Sequence, residues 1–130
     1  MASAIIPQVK DVDIDPSGVF KYILIKLSSQ TPDGKLDDKL IVRGYADCPF
    51  HADINDQVTS DLQKLKSSKI INDWRTKVLG GGRIQHDPDV KKILVYGYSQ
   101  GYGKADHQLT VDILKTAYPD YNITYSDEGY

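Results

Sequence analysis

The segment Val19-Phe20-Lys21-Tyr22-Ile23-Leu24-Ile25-Lys26-Leu27 is apolar on both of its alternating sets of side chains. A strand with that pattern belongs inside a sheet and needs cover on both faces. The pattern returns in Lys92-Ile93-Leu94-Val95-Tyr96-Gly97-Tyr98. Two such strands in one chain call for a sheet of mixed direction with helices against it. Lys21 is the misfit, sharing a face with Val19, Ile23 and Ile25. A lone ammonium there is costly unless it reaches the surface, a cleft or an anion.

The remaining elements fall into place around these strands. A polar connection, Ser28 to Asp38, contains Thr-Pro-Asp-Gly and leads to a second strand over Lys39 to Tyr45. Ile54, Val58, Leu62 and Leu65 recur at helical spacing, predicting a helix from Ala52 to Ser67. Asp53 and Asp56 lie in or beside its first turn, where carboxylates cap N–H groups and favour the helix dipole, so they read as structural. Ile70 to Gln85 reads as a long strand interrupted by Gly80-Gly81-Gly82, the mark of a bulge or a close backbone approach. It forms a second hairpin with Lys92 to Tyr98. A helix is expected over Val111 to Tyr118, with Thr110 as N-cap, Leu109 and Leu114 as a hydrophobic staple and Pro119 as its stop. A short strand, Tyr121 to Tyr125, closes the series. Residues 1 to 17 read as a loose lead-in. The expected fold is α/β (α+β): a single mixed sheet of about five to six strands flanked by two helices, in the order ββαββαβ, all within one domain spanning residues 1 to 130.

Composition excludes several functions. With 16 basic and 18 acidic residues the net charge is -2, which gives no overall attraction to nucleic acid or to an acidic membrane. No apolar run approaches the roughly 20 residues that span a bilayer. Cys48 is the single cysteine and has no internal disulfide partner. The N-terminus lacks the charged start and long apolar core of a signal peptide, so a cytoplasmic location is expected, with a monomer as the default state. His51, His86 and His107 stand in separate loops with no metal-ligand spacing, and neither a metal nor a cofactor is expected. There is no G-x-S-x-G elbow and no Cys-x5-Arg signature.

What remains is the stretch Arg43 to Asp56, which leaves a strand, turns at Pro49 and opens a helix with His51 at the junction. A histidine there exchanges a proton near neutral pH while backbone N–H groups receive an anion. Lys21, Arg43 and Arg83 form a candidate cationic ring, and Ser99-Gln100-Gly101 begins a glycine-bearing loop able to present N–H groups. Together they suit a phosphate group: fixed cations and donors hold the oxygens, and the histidine moves a proton.

Gly18-Val19-Phe20-Lys21-Tyr22, Val42-Arg43-Gly44-Tyr45, Phe50-His51-Ala52-Asp53-Ile54, Leu79-Gly80-Gly81-Gly82-Arg83-Ile84, Tyr96-Gly97-Tyr98-Ser99 and Tyr118-Pro119-Asp120-Tyr121 together resemble the small phosphohistidine phosphatases of the janus/ocnus family. The resemblance runs from about Ile6 to Tyr130, and the closing Glu128-Gly129-Tyr130 shares it. It implies a metal-independent protein phosphatase acting on phosphohistidine in proteins, with a lesser capacity for phospholysine. His51 matches the catalytic histidine, Lys21 the substrate-contacting lysine, Arg43 and Arg83 the active-site arginines, and Ser99, Gln100 and Gly101 the phosphate-binding segment. Relatives carry Met and Ala after that serine, a change that binding through backbone N–H groups tolerates. The alternatives are a non-catalytic phosphoprotein-binding module on the same fold and a conventional serine/tyrosine phosphomonoesterase.

Overall fold

The computed structural model describes residues 9–30, 36–68 and 73–127. Among the described residues, six strands form one sheet: β1 (Val12–Ile14), β2 (Gly18–Gln30), β3 (Leu36–Gly44), β4 (Trp74–Asp87), β5 (Lys92–Tyr96) and β6 (Asn122–Tyr125). Their spatial order is β1-β3-β2-β4-β5-β6, with β1 parallel to β3, β6 parallel to β5, and the remaining neighbours antiparallel. The described residues also form two α-helices, α1 (His51–Ser67) and α2 (His107–Ala117). The doubly apolar β2 is at the centre, as its pattern demands.

The helices lie on opposite faces for a topological reason. The connection from β3 through α1 passes over β2 to β4, and the connection from β5 through α2 reaches β6, so both advance the same way across the sheet. Yet β3 and β5 run in opposite senses. Crossovers of the usual right hand then place the two helices on opposite sides. The buried side chains divide accordingly. Ile23, Ile25, Leu27 and Ile41 pack with Ile54, Val58 and Leu62 of α1. Phe20, Tyr22, Leu24, Val42, Ile84 and Ile93 pack with Val111 and Leu114 of α2.

The mixed six-stranded sheet with two helices is as expected, and three local expectations need correction. Within the supposed lead-in, Val12 to Ile14 is a strand. The alternating acids that made it look loose are each fastened: Asp11 to the Lys39 ammonium at 2.9 Å, Asp13 to the Tyr45 hydroxyl at 2.9 Å, Asp15 to the Ala46 N–H at 2.6 Å. The second helix starts at His107, not Val111, and its N-cap is Asp106, whose carboxylate accepts from the N–H groups of Gln108 and Leu109. Thr110 lies inside the helix and is fully buried, and Leu109 is exposed rather than stapled. His107, Thr110, Val111 and Leu114 form the buried face at helical spacing, but two of the four are polar, which hides the stripe from a hydrophobicity reading. Finally, β5 stops at Tyr96, where Gly97 takes φ +74° and turns the chain out of the sheet. The expected Thr-Pro-Asp-Gly turn, the start of the long strand at Ile70 and the Gly-Tyr terminus lie outside the described residues.

The three glycines of β4 provide both features expected of them. The register against β2 shifts between Leu24 and Ile25, which pair with Gly80 and Val78, so Leu79 is the extra, bulged residue. The close approach is at Gly82, where a Cβ would sit 2.4 Å from the Tyr96 carbonyl oxygen, 2.8 Å from Cε1 of His107 and 2.9 Å from Cε1 of Tyr22. Gly82→Ala is therefore expected to cost about 1–3 kcal/mol of stability or more by overpacking. Gly101→Ala, with nothing within 4 Å of its Cβ position, should leave the denaturation midpoint close to wild type. Urea denaturation of the two variants checks the pair.

Candidate active site

The first turn of α1 is built without a conventional cap. Phe50 occupies the N-cap position in extended conformation and has no side-chain acceptor to offer. Relative to Ser, Thr, Asp or Asn, that substitution forgoes about 1 kcal/mol. Asp53 recovers part of it by accepting the Phe50 N–H at 3.0 Å, which confirms its structural reading. Asp56 is exposed. Among the described residues, the N–H groups of His51 and Ala52 have no acceptor. They sit at the positive end of α1, where an anion is favoured.

His51 is the first helical residue and belongs to the buried stripe with Ile54, Val58 and Leu62. Its side chain therefore turns onto β4, where its Cδ2 lies against Gly81; a Cβ on that glycine would come within 2.7 Å of it. Its Nε2 is 3.0 Å from the carbonyl oxygen of Gly82. A carbonyl only accepts, so Nε2 carries the proton and Nδ1 keeps its lone pair. Because the Cδ2 and Nε2 edge is held against the strand, the Nδ1 edge looks away from it. The residue is only 7% exposed. Burial, followed by the charges of Lys21 and Arg83 and outweighing the Gly82 hydrogen bond, lowers its pKa from the ordinary histidine value. His51 is thus held neutral, in a single tautomer.

A cleft of about 790 Å³ opens at this residue, lined by Lys21, Phe50, His51 and Ala52 on one part and by Tyr98 to Tyr102 on another. Lys21 reaches it from β2, its ammonium donating to the Pro49 carbonyl at 2.6 Å and lying 5.5 Å from the centroid of the Phe50 ring. The loop after β5 is closed by reciprocal Ser99 and Gly103 backbone hydrogen bonds at 3.1 and 2.8 Å. Within it, Ser99 Oγ accepts the Tyr102 N–H at 3.1 Å, so the buried serine organises the loop. The N–H groups of Gln100 and Gly101 have no acceptor among the described residues. Arg83 pairs directly with Lys21 across β2 and β4, and both line a second cleft beside Pro49.

Arg43 does not join them. It is on β3, separated from β4 by the whole of β2, about 10 Å across the sheet. Its buried guanidinium donates to the carbonyls of Val42 at 3.0 Å and Lys10 at 2.7 Å. It lines a separate cavity of about 170 Å³ with Asp13 and Asp61. Burial lowers its pKa while Tyr45, Asp13, Asp11 and Asp61 oppose the shift. The structure thus brings Lys21 and Arg83 together near His51 and places Arg43 apart from them, tying the segment before β1 to the sheet.

On the opposite face of Gly82, sequence reasoning missed a second buried histidine. His107 Nε2 donates to the Gly97 carbonyl at 2.8 Å, and its Nδ1 accepts from the Tyr22 hydroxyl at 2.6 Å. The Thr110 hydroxyl is 3.1 Å from the Tyr22 oxygen. Burial lowers the His107 pKa and raises that of Tyr22, so this group is neutral throughout. Among the described residues, no three His, Cys, Asp or Glu side chains are grouped as metal ligands, and no helix is long and apolar enough to cross a membrane.

Comparison with known proteins bears on this geometry. The family model described as Janus/Ocnus family (Ocnus) matches residues 6 to 122. The chain belongs to the Janus/Ocnus family. Within it, the chain is similar to the 14 kDa phosphohistidine phosphatase of Sus scrofa, 47% identical over 99% of this chain and 98% of the relative. It is 45% identical to the protein of the same name from Homo sapiens over the full length of both. It is also 50% identical to the sex-regulated protein janus-A of Drosophila orena, over 92% of this chain and 80% of that one.

Both depressed histidines couple this Janus/Ocnus chain to pH. In the folded state His51 and His107 bind a proton less readily than in the unfolded chain, so the unfolded state takes up more protons as pH falls through about 6.5. Stability is therefore expected to be full above that pH and to decline below it, by at most about 1.4 kcal/mol per pH unit for each group. Denaturation between pH 7.5 and 5 should show a smaller decline in His51→Asn than in the wild type.

Proposed function

We propose that this chain is a protein histidine phosphatase that hydrolyses the P–N bond of phosphohistidine in proteins, acts on phospholysine as a lesser substrate, and needs no metal. The observation that carries the reading is the fixing of His51. Its Nε2–H is held by the Gly82 carbonyl, and its Nδ1 is left with a lone pair beside a cluster of anion-seeking groups. Relatives covering the whole chain bear the name phosphohistidine phosphatase, which supports it.

The phosphoryl group is received by the N–H groups of His51 and Ala52 at the start of α1, by those of Gln100 and Gly101, and by the Lys21 ammonium, with Arg83 adding positive field. Charge is thereby neutralised by fixed groups that need no reorganisation. Ser99 acts through the loop it closes. Two routes use Nδ1. In one it takes a proton from a water whose oxygen bonds to phosphorus as the P–N bond breaks. The bonding pair then passes to the substrate imidazole, whose second ring nitrogen already carries a proton, and it leaves as neutral imidazole. In the other Nδ1 itself bonds to phosphorus, the imidazole leaves, and water then releases phosphate from His51. Either needs neutral imidazole, the form that burial and the two cations favour. Cytoplasmic phosphoproteins are the proposed substrates and a monomer the proposed working unit.

Release of phosphate from a phosphohistidine peptide, measured with a chelator present, tests this. Wild type should turn over, and His51→Ala should lose at least about 10³-fold in kcat, since no other base stands in its place. Lys21→Ala should lose about 10- to 100-fold in kcat/KM through one charge-assisted contact. The acid limb of the kcat/KM profile should fall below pH 6.5, because protonation of His51 abolishes both routes. Phosphate binding without turnover by the wild type would instead favour the binding module. Recovery of phosphorylated His51 in rapid quench would select the second route.

A further inference from the structure

We infer that Phe50, with Tyr98, forms an aromatic subsite for the leaving imidazole, and that this subsite sets the preference for a ring-bearing substrate over an aliphatic phosphoramidate. The inference rests on the phosphatase reading above. The chain has two phenylalanines: Phe20 is buried in the α2-side core at 4% exposure, whereas Phe50 is 66% exposed and belongs to neither core. Nor does Phe50 serve the helix it precedes, since it holds the N-cap position with no acceptor. A large apolar side chain that neither packs nor caps is instead placed beside the reactive histidine, on the wall of its cleft.

The geometry indicates what passes over it. Lys21 Nζ, a phosphoryl ligand in the reading above, is 5.5 Å from the Phe50 centroid. A group attached to a phosphorus held there begins its path next to that ring. Tyr98 lines the same cleft at 42% exposure, brought out of the sheet by the positive φ of Gly97. The cleft, at about 790 Å³, is in the range of pockets that enclose a drug-sized ligand, roughly 300–1,000 Å³, and so has room beyond the phosphoryl group.

Phosphohistidine presents a flat aromatic ring at that place. The ring is protonated on its second nitrogen, so as the P–N bond breaks the bonding pair returns to the first nitrogen and the group departs as neutral imidazole. Aromatic faces attract a flat ring, and attract it more strongly once it is cationic. The contact therefore holds the ring at the wall of the cleft while its bond to phosphorus breaks. The leaving group of phosphoramidate is ammonia, with no ring to stack.

The test compares kcat/KM for a phosphohistidine peptide and for phosphoramidate in wild type, Phe50→Ala and Phe50→Trp. Taking the ratio of the two substrates within each variant cancels any loss of folded protein. In Phe50→Ala the ratio should fall roughly tenfold, the size of one stacking and cation–π contact, and in Phe50→Trp it should return to at least the wild-type value. An unchanged ratio in Phe50→Ala, with wild type active on both substrates, would overturn the subsite while leaving the phosphatase reading intact. Absence of turnover by the wild type on either substrate overturns both.

Discussion

Three consecutive residues without Cβ atoms, in the middle of a central strand, make the rest of this arrangement possible. Gly81 lets the edge of His51 descend onto β4 from one face, and Gly82 lets His107 and Tyr22 close in from the other. Gly80 admits the backbone of Ala105, the chain just before α2. Both helices therefore begin with a histidine that donates to a backbone carbonyl, Gly82 for α1 and Gly97 for α2. Glycine weakens a strand, and here the loss is offset by neighbours that seal the strand on both sides. The bulge at Leu79 lies next to this run, as is common near reactive sites.

Electrostatics at the site follow from this packing. A histidine beside two cations and largely out of water stays neutral without any carboxylate to orient it. A peptide carbonyl does the orienting, which avoids introducing a negative charge where a phosphoryl group must approach. The cleft presents peptide N–H groups without acceptors among the described residues, together with one ammonium, so much of what it offers an anion belongs to the backbone.

The sheet, its central strands and α1 were readable in the sequence because each depends on a long apolar pattern: β2 on both faces, α1 on Ile54, Val58 and Leu62. The site was readable where chemistry and local signals coincide, as at His51 beside Pro49 and before a helical stripe. The start of α2 was not readable, because His107 and Thr110 on its inner face are polar and meet Tyr22, 85 and 88 residues away in sequence. The first strand escaped notice for a related reason, since the partners of Asp11, Asp13 and Asp15 come from Lys39, Tyr45 and Ala46. Arg43 shows the limit of reading roles by residue type. Its position on the strand is two strands from Arg83, and only the sheet order reveals that its charge is turned to the Lys10 carbonyl.

The antiparallel contact of β2 with β4 joins residues 18–29 to residues 74–86, across more than forty intervening positions. Pairing at such separation is entropically slow to form, and it dominates the folding rate of sheets built this way. Both cations near His51 and the carbonyl that orients it depend on that seam: Lys21 stands on one side of it and Gly81, Gly82 and Arg83 on the other. A chain that has made its helices but not yet closed the seam has no site at all. During synthesis on the ribosome, Lys21 and His51 are therefore made before the strand that brings them together, and their cleft forms only after β4 has emerged.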